Sequence, residues 1–247
     1  MSRWKAAAVH LSISALIGLV SALLIFEVWY PRPYGQATGA NELVLLLMGV
    51  DVVLGPLLTL AVFRSGKRGL KFDLIVIALL QVCAFSYGMS IVVRARPAFV
   101  VAAVDRFNLV LANDVSAEDL AKGHAAQFRV APWTGPLVVG SEVPKGAKER
   151  SKLLMSGMSG KDIERMPEYY VDYASTVPEL LKRAKPLDQL KGKTPSAQKI
   201  VAAWQHDHAA QGDSIVWIPL EAPQGSFTML IDRTNGRPVD ALPINPW

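Results

Sequence analysis

A chain of 247 residues that is 51% hydrophobic, with a mean hydropathy of +0.26, is too apolar for an ordinary soluble domain. The formal net charge of +5 is no nucleic-acid footprint, because the last 154 residues carry 19 basic and 17 acidic side chains mixed along the chain, without a long basic block. Cys83 is the single cysteine and lies in an apolar run, which excludes an intrachain disulfide and a cysteine-based metal cluster.

The apolar residues are concentrated before Arg94. Arg3 and Lys5 precede an apolar segment from Ala6 to about Tyr30. Its length, its bulky Trp29-Tyr30-Pro31 end and the lack of a small-residue cleavage pattern make it a retained transmembrane helix rather than a secretory leader. His10, Ser14, Gly18 and Ala22 recur every fourth residue and form a small, mildly polar stripe that a second membrane helix can approach closely. Trp29, Tyr30 and Tyr34 suit the far membrane interface.

A turn-rich loop from Tyr30 to Asn41 leads to the second span, at about 42–63, ELVLLLMGVDVVLGPLLTLAVF. This segment is long enough to cross a hydrocarbon core of roughly 30 Å, yet it carries an aspartate and a Gly-Pro pair near its middle. A carboxylate at that depth costs about 2.5 to 3.5 kcal/mol on insertion scales, so Asp51 needs a partner, a wet cavity or a proton. Pro56 removes a backbone donor and crowds the carbonyl of Val52, which frees a carbonyl beside the carboxylate. A basic loop, Arg64 to Lys71, precedes the third span at about 72–93. At about 1.5 Å per residue, Asp51 and Gln81 lie roughly 20 Å and 15 Å from that loop, so the two polar groups can meet. Four basic residues in the 64–71 loop, with Arg3 and Lys5, outweigh the lone Arg32 between the first two spans. The positive-inside rule then places the N-terminus and the second loop in the cytoplasm and everything after Val93 on the opposite side.

Residues 94–247 read as one α+β domain. Phe99 to Val104, Phe107 to Leu111, Pro136 to Gly140, Ser214 to Leu220, Phe227 to Asp232 and Arg237 to Leu242 are strand candidates, the last pair joined by an Asn235-Gly236 hairpin turn. Helices are expected at 116–124, where Ser116 is a capping residue, at 148–155, 160–165 and 177–184, and from Thr194-Pro195 to about His208. No catalytic constellation emerges. The His206-Asp207-His208 triplet lacks further ligands and points in divergent directions. The SGMSGKD stretch at 156–162 lacks the spacing of a phosphate loop. Tyr169, Tyr170 and Tyr173 suit a core edge better than a recognition surface. No cofactor or metal is expected. Asp51, with Gly55, Pro56 and Gln81, remains as a partner-binding or bundle-stabilising site, and the two roles stay open.

Asp51-Val-Val-Leu-Gly-Pro-Leu-Leu-Thr-Leu with Phe63, then Asp73-Leu74, Gln81, Tyr87-Gly88, Arg96-Pro97-Ala-Phe and Asp105-Arg106-Phe107, resembles the type IV pilin accessory proteins of the TfpX/TfpZ group over residues 42–114. The resemblance implies a non-catalytic inner-membrane protein that stabilises a major pilin or promotes its assembly. It supplies no ligand or catalytic residue to carry over. Pilins, in that context, present an apolar N-terminal helix with a glutamate and a free amine, both awkward in lipid. The expected architecture is membrane α plus α+β: a three-helix transmembrane domain, 1–93, followed by a C-terminal periplasmic α+β domain with antiparallel strands, 94–247. A proton- or ion-coupled stator or transporter subunit using Asp51 is the alternative.

Overall fold

The computed structural model describes residues 2–192, 194–209 and 214–247. Three helices are long and apolar enough to cross a membrane: Arg3–Trp29, Ala40–Val62 and Leu70–Arg94. The first consists of α1 (Arg3–Leu24), capped by the Ser2 hydroxyl, and a wide π turn over Ile25–Trp29. The second is built from α3 (Ala40–Gly49), a π turn over Val50–Leu54 and α4 (Gly55–Val62), and the third is α5 (Leu70–Arg94). Most of their large apolar side chains face outward, Leu45 at 74% and Leu46 at 69% exposure, as a lipid-facing surface requires.

The small-residue stripe of α1 is the packed one. Ala6, Ser14, Gly18 and Ser21 are buried, and Gly18 faces Met48 and Val52 of the second span. Because the second span is the middle element, packing against α1 through α4 and against α5, no extensive contact joins α1 to α5 among the described residues. At the end away from the 64–71 loop, Ile25, Tyr30, Ala40, Val44 and Val92 form a cluster that joins all three helices. There the Tyr30 hydroxyl donates to the Val92 carbonyl at 2.6 Å.

The rest of the chain forms an eight-stranded mixed sheet: β1 (Pro97–Ala103), β2 (Arg106–Leu111), β3 (Leu137–Ser141), β4 (Tyr170–Asp172), β5 (Lys185–Pro186), β6 (Ile215–Ala222), β7 (Gly225–Asp232) and β8 (Pro238–Leu242). The order is β4-β3-β1-β2-β6-β7-β8, with β5 pairing along β6. Most neighbours are antiparallel; β1–β3 and β2–β6 are parallel. All seven residues of β1 are buried because it is central and covered on both faces. Val100 and Ala102 join a core with Phe107, Ile218, Leu220 and Met229. Phe99, Val101 and Ala103 join another with Val110, Phe128 and Tyr170. A third core packs Val201 and Trp204 of α10 (Pro195–Asp207) on Trp217, Leu230 and Leu242. The hairpin at Asn235-Gly236 forms as a longer connection, 233–237, in which only Gly236 of the pair has positive φ, at 72°, while Arg237 N–H donates to Asn235 Oδ1 at 2.8 Å.

The connection between the first two spans was expected only to turn the chain. It folds instead into α2 (Tyr34–Thr38), whose Tyr34 and Ala37 belong to the core of the sheet, while Gln224 N–H donates to the Ala37 carbonyl at 3.2 Å. The spans and the sheet thus share packing.

On the outer face, α6 (Ala117–Ala121) is tied down through Asp119. Its carboxylate accepts from Lys161, from the Ser116 hydroxyl at 2.6 Å and from Lys122 at 3.1 Å. These donors, Lys161 foremost, hold its carboxyl well below the usual carboxylate range. A depressed folded value means the stabilisation is complete above the unfolded value of about 3.9 and is lost as the pH falls through the folded one. Replacing Asp119 by Asn should cost about 0.5 to 1 kcal/mol at neutral pH. Thermal unfolding in detergent should show the difference from wild type narrowing as the pH drops below about 4.

Candidate functional site

The second span departs from a regular helix at Asp51. In a regular helix the donor missing at Pro56 would leave the Val52 carbonyl free. The observed π turn over Val50–Leu54 sends backbone N–H groups five residues back instead, so the carbonyl facing Pro56 in that register is that of Asp51. Gln81 Nε2, reaching across from α5, donates to that carbonyl at 3.2 Å. Asp51 and Gln81 therefore meet through the aspartate backbone, not through its carboxylate. Gly55 makes the approach possible: a Cβ there would fall 2.0 Å from Gln81 Nε2. Gly55 and Pro56 are both buried at this crossing.

With Gln81 occupied at the backbone, the Asp51 side chain is left with a buried Oδ1 that has no hydrogen-bond partner among the described residues. Two grooves flank it. One, of about 260 Å³, opens between α1 and α5 past His10, Ser14 and Ile17. The other, of about 280 Å³, lies between the second span and α5 past Leu46, Leu47 and Gly88. Asp51 and Phe85 line both. A carboxylate on the wall of apolar grooves within a helix bundle can accept a hydrogen bond or pair with a cation brought by another helix. Where the bundle meets the sheet, a polar cleft of about 790 Å³ is bordered by Glu27, Arg32, Asn41 and Asp240.

A second polar contact in the bundle was not anticipated. His10 Nδ1 lies 2.6 Å from Thr59 Oγ1, which is itself buried. Both residues sit within about two turns of the basic flanks at Arg3 and Arg64, so the depth matching that pairs Asp51 with Gln81 would have found them too.

The other residues singled out by sequence serve the fold. His208 stacks on Trp204 with ring centroids 4.4 Å apart, and His206 contacts Asp207 at the exposed end of α10. The 156–162 stretch closes α7 (Ala147–Met158) and delivers Lys161 to Asp119. Tyr170 is buried edge-on against Phe99 and Phe128, and Tyr173 packs on Phe107.

The Gly55–Gln81 contact predicts non-additivity. Gly55→Ala should displace the glutamine and destabilise the bundle by about 1 kcal/mol, typical of interhelical polar contacts in membranes. In a Gln81→Ala background the same substitution should cost much less, because the amide group nearest the added methyl is gone. Unfolding of the four proteins in mixed micelles measures the cycle.

Comparison with known proteins bears on the whole chain. The family model described as fimbrial assembly protein FimB matches residues 1–39. A Dichelobacter nodosus protein named fimbrial assembly protein, serogroup I, is 32% identical over an alignment covering 98% of this chain and 95% of the relative. The serogroup E1 protein of the same organism is 34% identical over 79% and 76% of the two chains. The protein of serogroups C1 and C2 is 37% identical over 47% of this chain and 90% of its own. No solved structure matches. A relative of this identity, aligned over nearly the whole of both chains, places the chain in the fimbrial assembly protein family.

Proposed function

We propose that this protein acts in fimbrial assembly as a membrane accessory factor for a type IV pilin, in the manner of the TfpX/TfpZ group, stabilising the pilin or promoting its assembly. In this reading it resides in the bacterial inner membrane. The N-terminus and the basic 64–71 loop are cytoplasmic, and a periplasmic domain begins near Arg94. The names of its Dichelobacter nodosus relatives support the fimbrial role, and the asymmetry of basic loop residues supports the orientation.

The observation that carries the mechanism is Asp51, which lines two apolar grooves and keeps a buried Oδ1 without a hydrogen-bond partner among the described residues. A pilin stored in the membrane exposes an apolar helix whose terminal amine is costly in lipid. Asp51 offers that amine a carboxylate at matching depth, and the grooves offer its apolar flank a surface. Gln81 and Gly55 hold the widened turn that aims Asp51, while the polar cleft at the junction receives the partner as it leaves the bilayer. The role is non-catalytic: binding energy shifts the pilin from an unprotected to a protected state.

A proton- or ion-coupled subunit would use the same aspartate. The surroundings favour a helix instead, since apolar side chains dominate both grooves.

The test places a photo-crosslinking amino acid at Leu46 or Ile17, each lining one groove, and measures capture of the pilin helix in intact membranes. Loss of a charge-assisted contact of about 1 to 2 kcal/mol should lower capture by Asp51→Ala roughly 5- to 30-fold with the accessory protein's own level unchanged. Unchanged capture would remove Asp51 from the mechanism. Disappearance of the protein itself would assign the residue to bundle stability.

A further inference from the structure

The connection between α6 and β3, residues 129–135, has the sequence Arg-Val-Ala-Pro-Trp-Thr-Gly. It displays two large apolar side chains outside the spans, Val130 at 63% and Trp133 at 60% exposure. A soluble surface gains nothing from such a pair, so its position relative to the spans decides its meaning.

That position is fixed from two sides. Arg96, two residues past the end of α5, donates from Nε to the Pro132 carbonyl at 2.9 Å and from Nη2 to the Ala131 carbonyl at 3.2 Å. Its Nη1 donates to Val93 at 2.8 Å, so one guanidinium binds the connection to the last turn of the third span. The same group lies over the Trp133 ring at 4.6 Å. From the first span, Trp29 approaches Trp133 with ring centroids 6.4 Å apart. Gly135, with φ of 70°, sits so close that a Cβ would stand 3.0 Å from Pro31 Cγ and 3.9 Å from the Val28 carbonyl oxygen. Residues 131–135 are thereby held against residues 28–31 and 93–96, the points where two spans leave the hydrocarbon.

We propose that this connection is a membrane-interface anchor, with Val130 and Trp133 seated at the boundary between headgroups and acyl chains. The occupant of the exposed patch is the lipid surface, because the connection that carries it is fastened to the ends of the first and third spans. Tryptophan is the residue best suited to that level, with an apolar body and a single polar N–H. Exposed Arg94 and Arg129 flank the patch and suit phosphate headgroups. The sheet is thus seated on the bilayer face, whatever partner the bundle holds, and the inference stands apart from the pilin reading.

The full-length protein, with Cys83→Ala and one added cysteine at a time, tests it in lipid nanodiscs containing anionic lipid. Val130→Cys and Thr134→Cys report on the anchor, and both leave Trp133 in place. Val104→Cys, at the tip of the β1–β2 hairpin, and Met158→Cys, on α7, serve as comparison sites; both native residues are exposed. Each is labelled with an environment-sensitive fluorophore and titrated with lipids brominated near the carbonyl end of their chains. Labels at 130 and 134 should emit at shorter wavelength and be quenched several-fold more strongly than those at 104 and 158. Equal quenching at all four sites, with full access to aqueous iodide at 130, would overturn the proposal. So would shielding of 130 and 134 that appears only in native membranes, since it would assign the patch to a protein partner.

Discussion

A membrane helix that contains proline must find a substitute for a backbone hydrogen bond in a medium that offers none. In this protein the substitute is a glutamine on the neighbouring helix, and much of the bundle follows from accommodating it. The second span widens by one residue per turn around Asp51, which moves the orphaned carbonyl to the aspartate itself. Gln81 crosses to reach it, and the crossing point must be glycine. The side chain of Asp51 takes no part in that contact: its Oδ1 is buried without a hydrogen-bond partner among the described residues, and the residue lines both grooves. A single backbone requirement thus both closes the helix pair and leaves the Asp51 carboxyl outside the contact.

The second organising device is the joint between bundle and sheet. Long helices that end in a flexible linker would leave the sheet free to swing. Here Tyr30, Arg96 and Trp133 lock the ends of the first and third spans to each other and to the residues preceding β3. Arg96 is only 8% exposed, and among the described residues its charge is balanced by three carbonyl dipoles and an aromatic face rather than by a carboxylate. A planar guanidinium with several donors can gather carbonyls from two segments at once; a lysine ammonium in its place would not reproduce that fork.

The sequence made the large elements legible because their signals are local. A predominantly apolar run of more than twenty residues marks each span, stretches rich in valine and leucine mark β1 and β2, Thr194-Pro195 marks the start of α10, and Asn235-Gly236 marks the last hairpin. What escaped was set by distant partners. β4 and β5 are three and two residues long, too short for any periodic pattern, and exist because β3 and β6 offer edges to them. The parallel pairings of β1 with β3 and β2 with β6 join segments separated by other elements, so neither follows from a turn signal. At the candidate site, residue types and depth brought Asp51 and Gln81 together, but a regular helix was the wrong ruler. The π turn changed which carbonyl Pro56 strands, and with it which part of Asp51 meets Gln81.

The short helix α2 carries a consequence for how the molecule is made. Tyr34 and Ala37 are synthesised between the first two spans, yet the core that receives them includes Phe227, Met229 and Ile231, almost two hundred residues later. The nascent chain must therefore release most of its length, all three long apolar helices included, before the first loop finds its place. Once it does, the late strands hold the early hairpin of helices shut, like a clasp fitted after the hinge. Shortening the chain from its C-terminal end would then loosen the membrane helices farthest from the cut in sequence, before it disturbed the third span next to the sheet.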